Sequence, residues 1–393
     1  MPAEPREIGV AVVGFGWMGR VHAQSYARVA HHYPELGIRP RLRAVADDVP
    51  GRAAAAAAQF GAARSTEDWR DLLGDATIDA VSITAPNFLH REIAIAFAEA
   101  GKHVWVEKPV GVTADDTRAV RDAIRTAGIR SAIGFNYRNA PAVQDAIRRV
   151  RAGEIGEVTH VSARLLSDYA ADADGAFSWR YELERAGHGV LGDLASHGVD
   201  LLIELAGEVR EVMGDGTVFI PERRRPSGAT VGHARAIDGV AQAVENEDWA
   251  AGLLRFASGA RGTLEVSRVA VGEQNDYGFV VHGTSGMLAW DFRRMGELLV
   301  AQGSQDAPAA RVLVGPSAGD YGAFQPGAAI AMGYDDLKVI EAERFLRSIA
   351  EGRDVGANID DAVRMAEVLD ALARSTLDGA WTAVVPGAAT AAR

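Results

Sequence analysis

The chain has 393 residues, of which 48% are hydrophobic and 24% charged, with 53 acidic against 41 basic side chains and a formal net charge of −12. The length exceeds what one typical hydrophobic core holds, so two domains are expected, and the acidic balance argues against non-specific nucleic-acid binding. The sequence has no cysteine, which excludes disulfides, thiolate metal sites and cysteine nucleophiles.

The N-terminal stretch MPAEPREIGVAVVGFG has no basic n-region, apolar run or cleavage site of a signal peptide. No apolar stretch is long enough to span a bilayer. A cytoplasmic protein with no membrane partner is therefore expected.

In chain order, IGVAVVG (8–14), RLRAVAD (41–47), DAVSITAP (79–86), HVWVEK (103–108) and RSAIGFN (130–136) read as strands. Between them MGRVHAQSYARVA, GRAAAAAAQFG, HREIAIAFAEAG and ADDTRAVRDAIRTAG read as helices. The alternation, with apolar strands, predicts a doubly wound parallel sheet covered on both faces. After residue 137 the rhythm changes. A helix over 141–152 leads to the strand GEVTHVSARLLSDY and the helix LGDLASHGVDLLIELAG, followed by β-rich pieces from VREVMGDGTVFI to GELLVAQG. Gly-containing turns between these pieces predict an open, mostly antiparallel sheet. That sheet is expected to present one open face, and the alternating strand GTLEVSRVAV (262–271) to leave apolar side chains on at least one face. The segments 221–247 and 303–333 read as long loops, and two helices close the chain. The expected domains are 1–137, binding a dinucleotide, and 138–393, an α+β domain for substrate and assembly.

Gly14, Gly16 and Gly19, with Phe15, Trp17 and Met18 between them, form a G-x-G-x-x-G joining the first strand to the first helix. Such glycines allow a tight turn and close backbone approach, and the helix N-terminus can hold a pyrophosphate. Asp47 closes the second strand, where a carboxylate accepts the adenosine ribose hydroxyls and repels a 2′-phosphate. It lies further from Gly19 than the usual ~20 residues, an excess that the connection HHYPELGIRPR accounts for. NAD is therefore expected ahead of NADP, with Arg52 as the residue that argues the other way. The alternative reading makes Asp47 a helix cap.

Glu107-Lys108-Pro109 ends the fourth predicted strand, at the sheet edge where open α/β sheets bind ligands. A lysine there polarises a carbonyl or alcohol oxygen; the plain alternative is a surface ion pair. Asp193 and His197 lie four apart at the start of a helix, so their side chains share a face. A histidine beside a carboxylate is a candidate acid/base unit with a pKa near working pH. Otherwise Asp193 is an ordinary cap and His197 a core histidine. A zinc site would need a third ligand that the sequence does not point to, so no metal is expected.

With these motifs in order, the chain resembles the glucose–fructose oxidoreductase and inositol dehydrogenase family of NAD(P)-dependent oxidoreductases. GFGWMG, EKP at 107–109 and D-x-x-x-H at 193–197 carry the resemblance, and APNFLH, GFNYR and HGTSGMLAWD add to it. The stretch from SDYAADADG to LGDLASH looks most like the levoglucosan dehydrogenase branch of sugar and cyclitol dehydrogenases. The resemblance implies that Lys108, Asp193 and His197 surround the hydroxyl being oxidised. It also implies that Pro86, Asn87, His90, Glu107 and Lys108 lie on the cofactor side. Tyr137, Arg138, Asp168, Trp179, Arg180 and His188, with Asn87 and His90, are further pocket candidates; for Trp179 a structural role is the equal alternative. Relatives tend to carry a small residue where this chain has His188. The second domain of such proteins is often used for oligomerisation, so a homodimer or homotetramer is expected.

The resulting expectation is an NAD-dependent dehydrogenase acting on a secondary alcohol of a sugar or cyclitol. His197 would take the proton, Lys108 would stabilise the oxyanion, and Asp193 would orient the imidazole or the substrate; lysine and histidine could exchange roles. Two rivals share the fold: an enzyme that retains NAD and transiently oxidises a glycoside to cleave or isomerise it, and a non-catalytic NAD-dependent sensor.

Overall fold

The computed structural model describes residues 5–226, 234–303 and 305–385. Its first sheet has six strands, β1 (Arg6–Val13), β2 (Ile38–Ala46), β3 (Arg64–Thr66), β4 (Ala80–Ile83), β5 (His103–Val106) and β6 (Ser131–Ile133), in the order β3-β2-β1-β4-β5-β6. All neighbours are parallel. The short polar β3 has no apolar run to reveal it in the sequence. Glu107-Lys108-Pro109 therefore follows the fifth strand, not the fourth.

Four helices alternate with these strands: α1 (Trp17–His32), α2 (Arg52–Phe60), α3 (Asn87–Glu99) and α4 (Ala114–Ala127). Their ends follow local chemistry. Thr113 caps α4 by accepting from the Asp116 N–H at 3.1 Å, and Gly128 ends it with φ of 65°, a conformation that favours glycine.

The second sheet is built from β7 (Val158–Leu166), β8 (Val209–Thr217), β11 (Trp249–Phe256), β12 (Arg261–Ser267), β13 (Asp276–Gly283), β14 (Gly286–Asp291), β15 (Glu297–Gln302), β16 (Ala310–Leu313) and β17 (Thr382–Ala383). Its nine strands run β16-β15-β14-β13-β7-β12-β11-β8-β17, and only the β7–β12 pair is parallel. Strands β9 (Glu222–Arg225) and β10 (Val240–Ala243) form a separate hairpin. The helices of this half are α5 (Pro141–Arg151), the short α6 (Leu183–Ala186), α7 (Ser196–Ala206), the short α8 (Tyr321–Phe324), α9 (Tyr334–Glu351) and α10 (Ile359–Asp378). The two segments expected to be loops are thus partly structured: β9 and β10 fall in the first, β16 and α8 in the second. Residues 227–233 of the first and 304 of the second lie outside the described residues.

Helices α5, α7 and α10 pack on one face of the nine-stranded sheet. One apolar core runs through both halves, joining Ile83, Val106 and Phe97 of the first to Leu165, Val199 and Leu372 of the second. In addition, α9 leaves its own half to pack on α1, with Ile340 and Phe345 against Val10 and Trp105. The first sheet's second covering layer therefore comes partly from the C-terminal segment. This dovetailing fixes the two halves across the cleft between them. No helix among the described residues is long and apolar enough to cross a membrane.

Candidate active site

The C-terminal ends of the first sheet open into a cleft of about 1190 Å³. At one end lies the glycine turn. Gly14 has φ of 85°, and a Cβ there would stand 2.5 Å from the Ala85 backbone nitrogen; a Cβ on Gly19 would stand 2.3 Å from the Gly14 carbonyl oxygen. Both positions therefore need glycine, to bring strand, turn and helix together. Around Gly16 the space is open, and a Cβ added there would have nothing within 4 Å; α1 begins at this point without a side-chain cap. Phe15, Trp17 and Met18 line the cleft beside Gly14 and Gly16, whereas Gly19 sits behind the turn. These features fit a dinucleotide pyrophosphate on free backbone N–H groups.

Asp47 is buried at the end of β2, and its Oδ2 accepts from the Phe15 N–H at 2.6 Å. The carboxylate thus ties the second strand to the glycine turn and still borders the cleft. Arg52 stands 3.3 Å from its Oδ1.

Side chains leave β5 on alternate sides. Val104 and Val106 belong to the core facing the second half, and Lys108 continues on that side into the cleft. Its Nζ donates to the Asp193 carbonyl oxygen at 2.6 Å and to Asp193 Oδ1 at 3.0 Å. The other carboxylate oxygen accepts from the Tyr169 hydroxyl at 2.6 Å. Burial would raise the Asp193 pKa, but Lys108, Arg180 and the Tyr169 hydrogen bond overcome it and hold the group ionised well below the usual carboxylate range.

Asp193 lies in a π-helical turn, Leu191–Ala195, that runs directly into α7. Such wide turns recur at functional sites. The turn separates Asp193 from the register of an ordinary helix, and its carboxylate is bonded to Lys108 and Tyr169, not to His197. The expected Asp193–His197 pair is thus replaced by an Asp193–Lys108 pair. His197 is buried, its ring packs edge-on against Tyr137 with centroids 4.6 Å apart, and its Nδ1 has no partner among the described residues. Burial first, and then the Lys108 charge, push its pKa well below the ordinary histidine value. The imidazole is neutral at neutral pH, with hydrogen-bonding capacity unspent.

The other predicted residues divide. Asp168, Trp179, Arg180, His188, Tyr137, Pro86, Asn87 and His90 all line the cleft. Asn87 donates from Nδ2 to the Ala186 carbonyl at 3.0 Å while its Oδ1 is buried without a partner among the described residues, and Arg180 lies over the Trp179 ring at 4.4 Å. His188 Nε2 is 3.3 Å from Asp370 Oδ1. His90 has both ring nitrogens against backbone carbonyls, of Pro109 at 2.8 Å and Ala85 at 2.7 Å, so it braces the cleft wall instead of offering a free polar atom.

Two assignments are corrected. Arg138 does not reach the cleft: it is buried among Asp200, Asp361 and Glu204, because three desolvated carboxylates need a cation more than solvent does. Glu107 borders the cleft, but its carboxylate turns inward to His22 and Lys338. The sequence reading missed Tyr169, Tyr277, Tyr334 and Lys338. Only Lys338 had a usable signal, since helical spacing places it on the same stripe as the core residues Ala342 and Phe345.

Among the described residues, His22, Glu107 and Glu341 form a cluster with metal-like spacing. The Lys338 ammonium already bonds both of its carboxylates.

Comparison with known proteins agrees with this geometry. Residues 8–135 match the family model described as an oxidoreductase family NAD-binding Rossmann fold, and residues 143–289 match the GFO/IDH/MocA C-terminal domain. The chain is 37% identical over 385 residues to levoglucosan dehydrogenase of Pseudarthrobacter phenanthrenivorans, covering 96% of this chain and 98% of that protein. It is 26% identical over 371 residues to inositol 2-dehydrogenase of Rhizobium meliloti, covering 93% and 96%. A solved structure of levoglucosan dehydrogenase in complex with NADH and L-sorbose superposes with a TM-score of 0.91 at 35% identity, covering 97% of this chain and 99% of that one.

Proposed function

Because the chain belongs to the GFO/IDH/MocA family of oxidoreductases, we propose that it is an NAD-dependent dehydrogenase oxidising a ring secondary alcohol of a sugar or cyclitol. The observation that carries the reading is the meeting of Lys108, Asp193 and a neutral, buried His197 in one cleft with the glycine turn. Residues 1–137 hold the dinucleotide through Gly14, Gly16 and Asp47, and residues 138–393 supply the substrate side and the assembly surface.

Bound NAD supplies the hydride acceptor. The work of the chain is to manage the proton and the charge on the substrate oxygen. His197, neutral and lining the cleft, takes the hydroxyl proton on its ring nitrogen other than the enclosed Nδ1. Lys108 donates to the oxygen as negative charge develops on it, in a site where burial strengthens that interaction. Asp193, itself held by Tyr169, keeps the ammonium in place. Lys108 with Asp193 thus forms the electrostatic unit and His197 the base. We further propose that the protein is cytoplasmic and works as a homodimer or homotetramer.

The test is NADH formation across anhydrosugars, monosaccharides, cyclitols and glycosides, beginning with levoglucosan, the substrate in the name of the 37%-identical relative. Stoichiometric NADH from at least one ring alcohol is expected. NAD that stays bound through turnover, with glycoside cleavage and no NADH release, would replace this reading with transient oxidation.

A further inference from the structure

Glu107 and Lys108 are adjacent but leave the end of β5 on opposite sides. Lys108 enters the cleft, while Glu107 follows Trp105 towards α1 and α9. There Lys338 of α9 is fully buried. Its Nζ donates to Glu107 Oε1 at 2.5 Å and to Glu341 Oε1 at 2.9 Å. His22 of α1 stands with Nε2 2.9 Å from the same Glu107 oxygen, and its ring stacks on Trp105 at 3.6 Å. The Trp105 indole N–H donates to Glu341 at 2.6 Å.

Apolar side chains of similar volume would fill this space with equal or greater stability, since burying ions costs desolvation. The charged set does two things that an apolar set cannot. It holds the Glu107 carboxylate, and with it the turn that carries Lys108. It also places a buried cation on the inner side of the Glu107-Lys108 turn. One helical turn before Lys338, Tyr334 lines the cleft and stacks on Trp17 with centroids 5.1 Å apart, so the same face of α9 reaches both the buried cluster and the cleft.

We propose that Lys338 is a positioning residue of the active site: through Glu107 it fixes the turn that aims Lys108 at Asp193. This rests on the reading of Lys108 and His197 as the groups that meet the substrate. The charged groups facing His197 are Lys108 and Glu107 from the end of β5, Asp193 from the π-turn and Lys338 from α9, with the Tyr137 ring packed on it. After burial, the two lysines oppose protonation of the imidazole and the two carboxylates favour it. Removing Lys338 while Glu107 stays ionised therefore moves the His197 titration to higher pH. Removing both charges together leaves that titration nearly where it was, yet still frees the turn.

The experiment compares the unaltered protein with Lys338→Met and with Glu107→Gln/Lys338→Met, which leaves no unpaired Glu107 charge. Four quantities are read: melting temperature, NAD affinity by protein fluorescence, kcat, and the pH titration of the His197 ring by NMR, assigned with His197→Asn. For Lys338→Met we expect kcat to fall up to about 10²-fold, the scale of a catalytic group displaced by about an ångström. NAD affinity should stay within about threefold, and His197 should titrate at higher pH. The double variant should regain melting temperature and His197 titration but not kcat. A folded Lys338→Met protein with kcat within about twofold and an unmoved His197 would overturn the proposal. If Lys338→Met does not fold, a folded double variant with normal kcat overturns it and one with low kcat and intact NAD affinity supports it. If the unaltered protein turns over none of the alcohols, the dehydrogenase reading fails separately. The His197 titration then still decides whether Lys338 acts on that ring.

Discussion

The two sheets of this molecule expose different parts of themselves. The six-stranded sheet is covered on both faces, and what it leaves free is the edge where its strands end. Gly14, Asp47 and Lys108 all stand at that edge. The nine-stranded sheet is covered on one face by α5, α7 and α10 and leaves the other bare, with Met213 36%, Leu253 48% and Leu299 36% exposed. The contrast follows from connectivity. Parallel strands joined through helices gather many strand ends at one edge, whereas antiparallel strands joined by short turns leave a broad surface. An edge gathers reactive groups at a point; a face offers area. Substitutions at the edge should therefore change chemistry without changing assembly, and substitutions on the open face should do the reverse.

The sharpest break in that division would come at Lys108. Lys108→Ala removes the group proposed to meet developing negative charge, a loss that commonly costs on the order of 10²–10³ in turnover. NAD affinity, read by fluorescence, should hardly change, because the glycine turn proposed to hold the dinucleotide is separate. Melting temperature should fall only modestly, since Asp193 loses its cation but keeps the Tyr169 hydrogen bond and partial exposure. Near-normal turnover with a large loss of stability would make Lys108 a structural ion-pair partner.

Next in size are pH effects. His197 must be neutral to accept a proton, and its pKa lies well below the ordinary value. The acid limb of kcat/KM should thus fall below pH 6.5, not near neutrality; a limb at or above 6.5 would remove His197 as the base. Stability carries the same signature in the interior. His22 is pushed down from 6.5 to about 4 by burial, against its hydrogen bond to Glu107. The unfolded chain takes up this proton below pH 6.5 while the folded one does not. The stability it contributes is present above pH 6.5 and lost on acidification, by about 3 kcal/mol at pH 4. Asp200 is raised to about 7 by burial despite Arg138, so its contribution has the opposite sign, present below pH 3.8 and lost as pH rises towards 7. Denaturant midpoints across pH should show His22→Asn and Asp200→Asn changing the slope in opposite directions.

How much of this is readable from sequence depends on whether a residue acts locally. The glycine turn, Asp47 and the Glu107-Lys108-Pro109 turn announce themselves because strand, turn and helix are consecutive in sequence. Helices α2 and α4 are legible nearly to the residue, being flanked by Gly51, Gly61 and Gly128 and by the capping Thr113, whereas α1 runs two residues past its expected end and α3 begins three residues before its expected start. Strand β3 is invisible, being three residues without an apolar member. The partners of the proposed catalytic groups are equally hidden. Tyr169 reaches Asp193 across 24 positions and Lys338 reaches Glu107 across 231, and no local pattern encodes such meetings. The π-turn before α7 turns an apparent Asp193–His197 pair into two groups with different partners. Arg138 looks like a pocket residue because it follows Tyr137, but neighbours in sequence here face opposite environments.

A smaller effect is expected at the other end of the edge. Asp47→Ser removes the negative charge that would oppose a 2′-phosphate and frees Arg52, now 3.3 Å from that carboxylate, to meet one. The ratio of kcat/KM for NAD over NADP should fall about tenfold or more, the worth of a hydrogen bond to a charged group. Equal efficiency with both dinucleotides in the unaltered protein would remove the premise.

The smallest effect on turnover, and the largest on mass, is expected from the open face. The alternating stretch that begins β12 does not supply its apolar side chains: Leu264 and Val266 point into the core, leaving Thr263 and Glu265 outside. The apolar patch comes instead from neighbouring strands, with Leu253 of β11 paired in register to Met213 of β8, and Val280 and Leu299 further along the same face. Between these residues runs a shallow groove of about 740 Å³. A patch of this kind on a sheet face is commonly covered by another surface, and a second copy would match it through a two-fold contact. Leu253→Glu would bury a carboxylate against the apolar side chains of that contact, at the cost of its desolvation. Sedimentation at micromolar concentration should show a dimer or tetramer for the unaltered protein and a smaller species for the variant. NADH formation should stay within about twofold, because Leu253 takes no part in lining the cleft. A monomeric mass for the unaltered protein would defeat this account of the face. A variant that lost turnover along with mass would show that the edge and the face depend on one another after all.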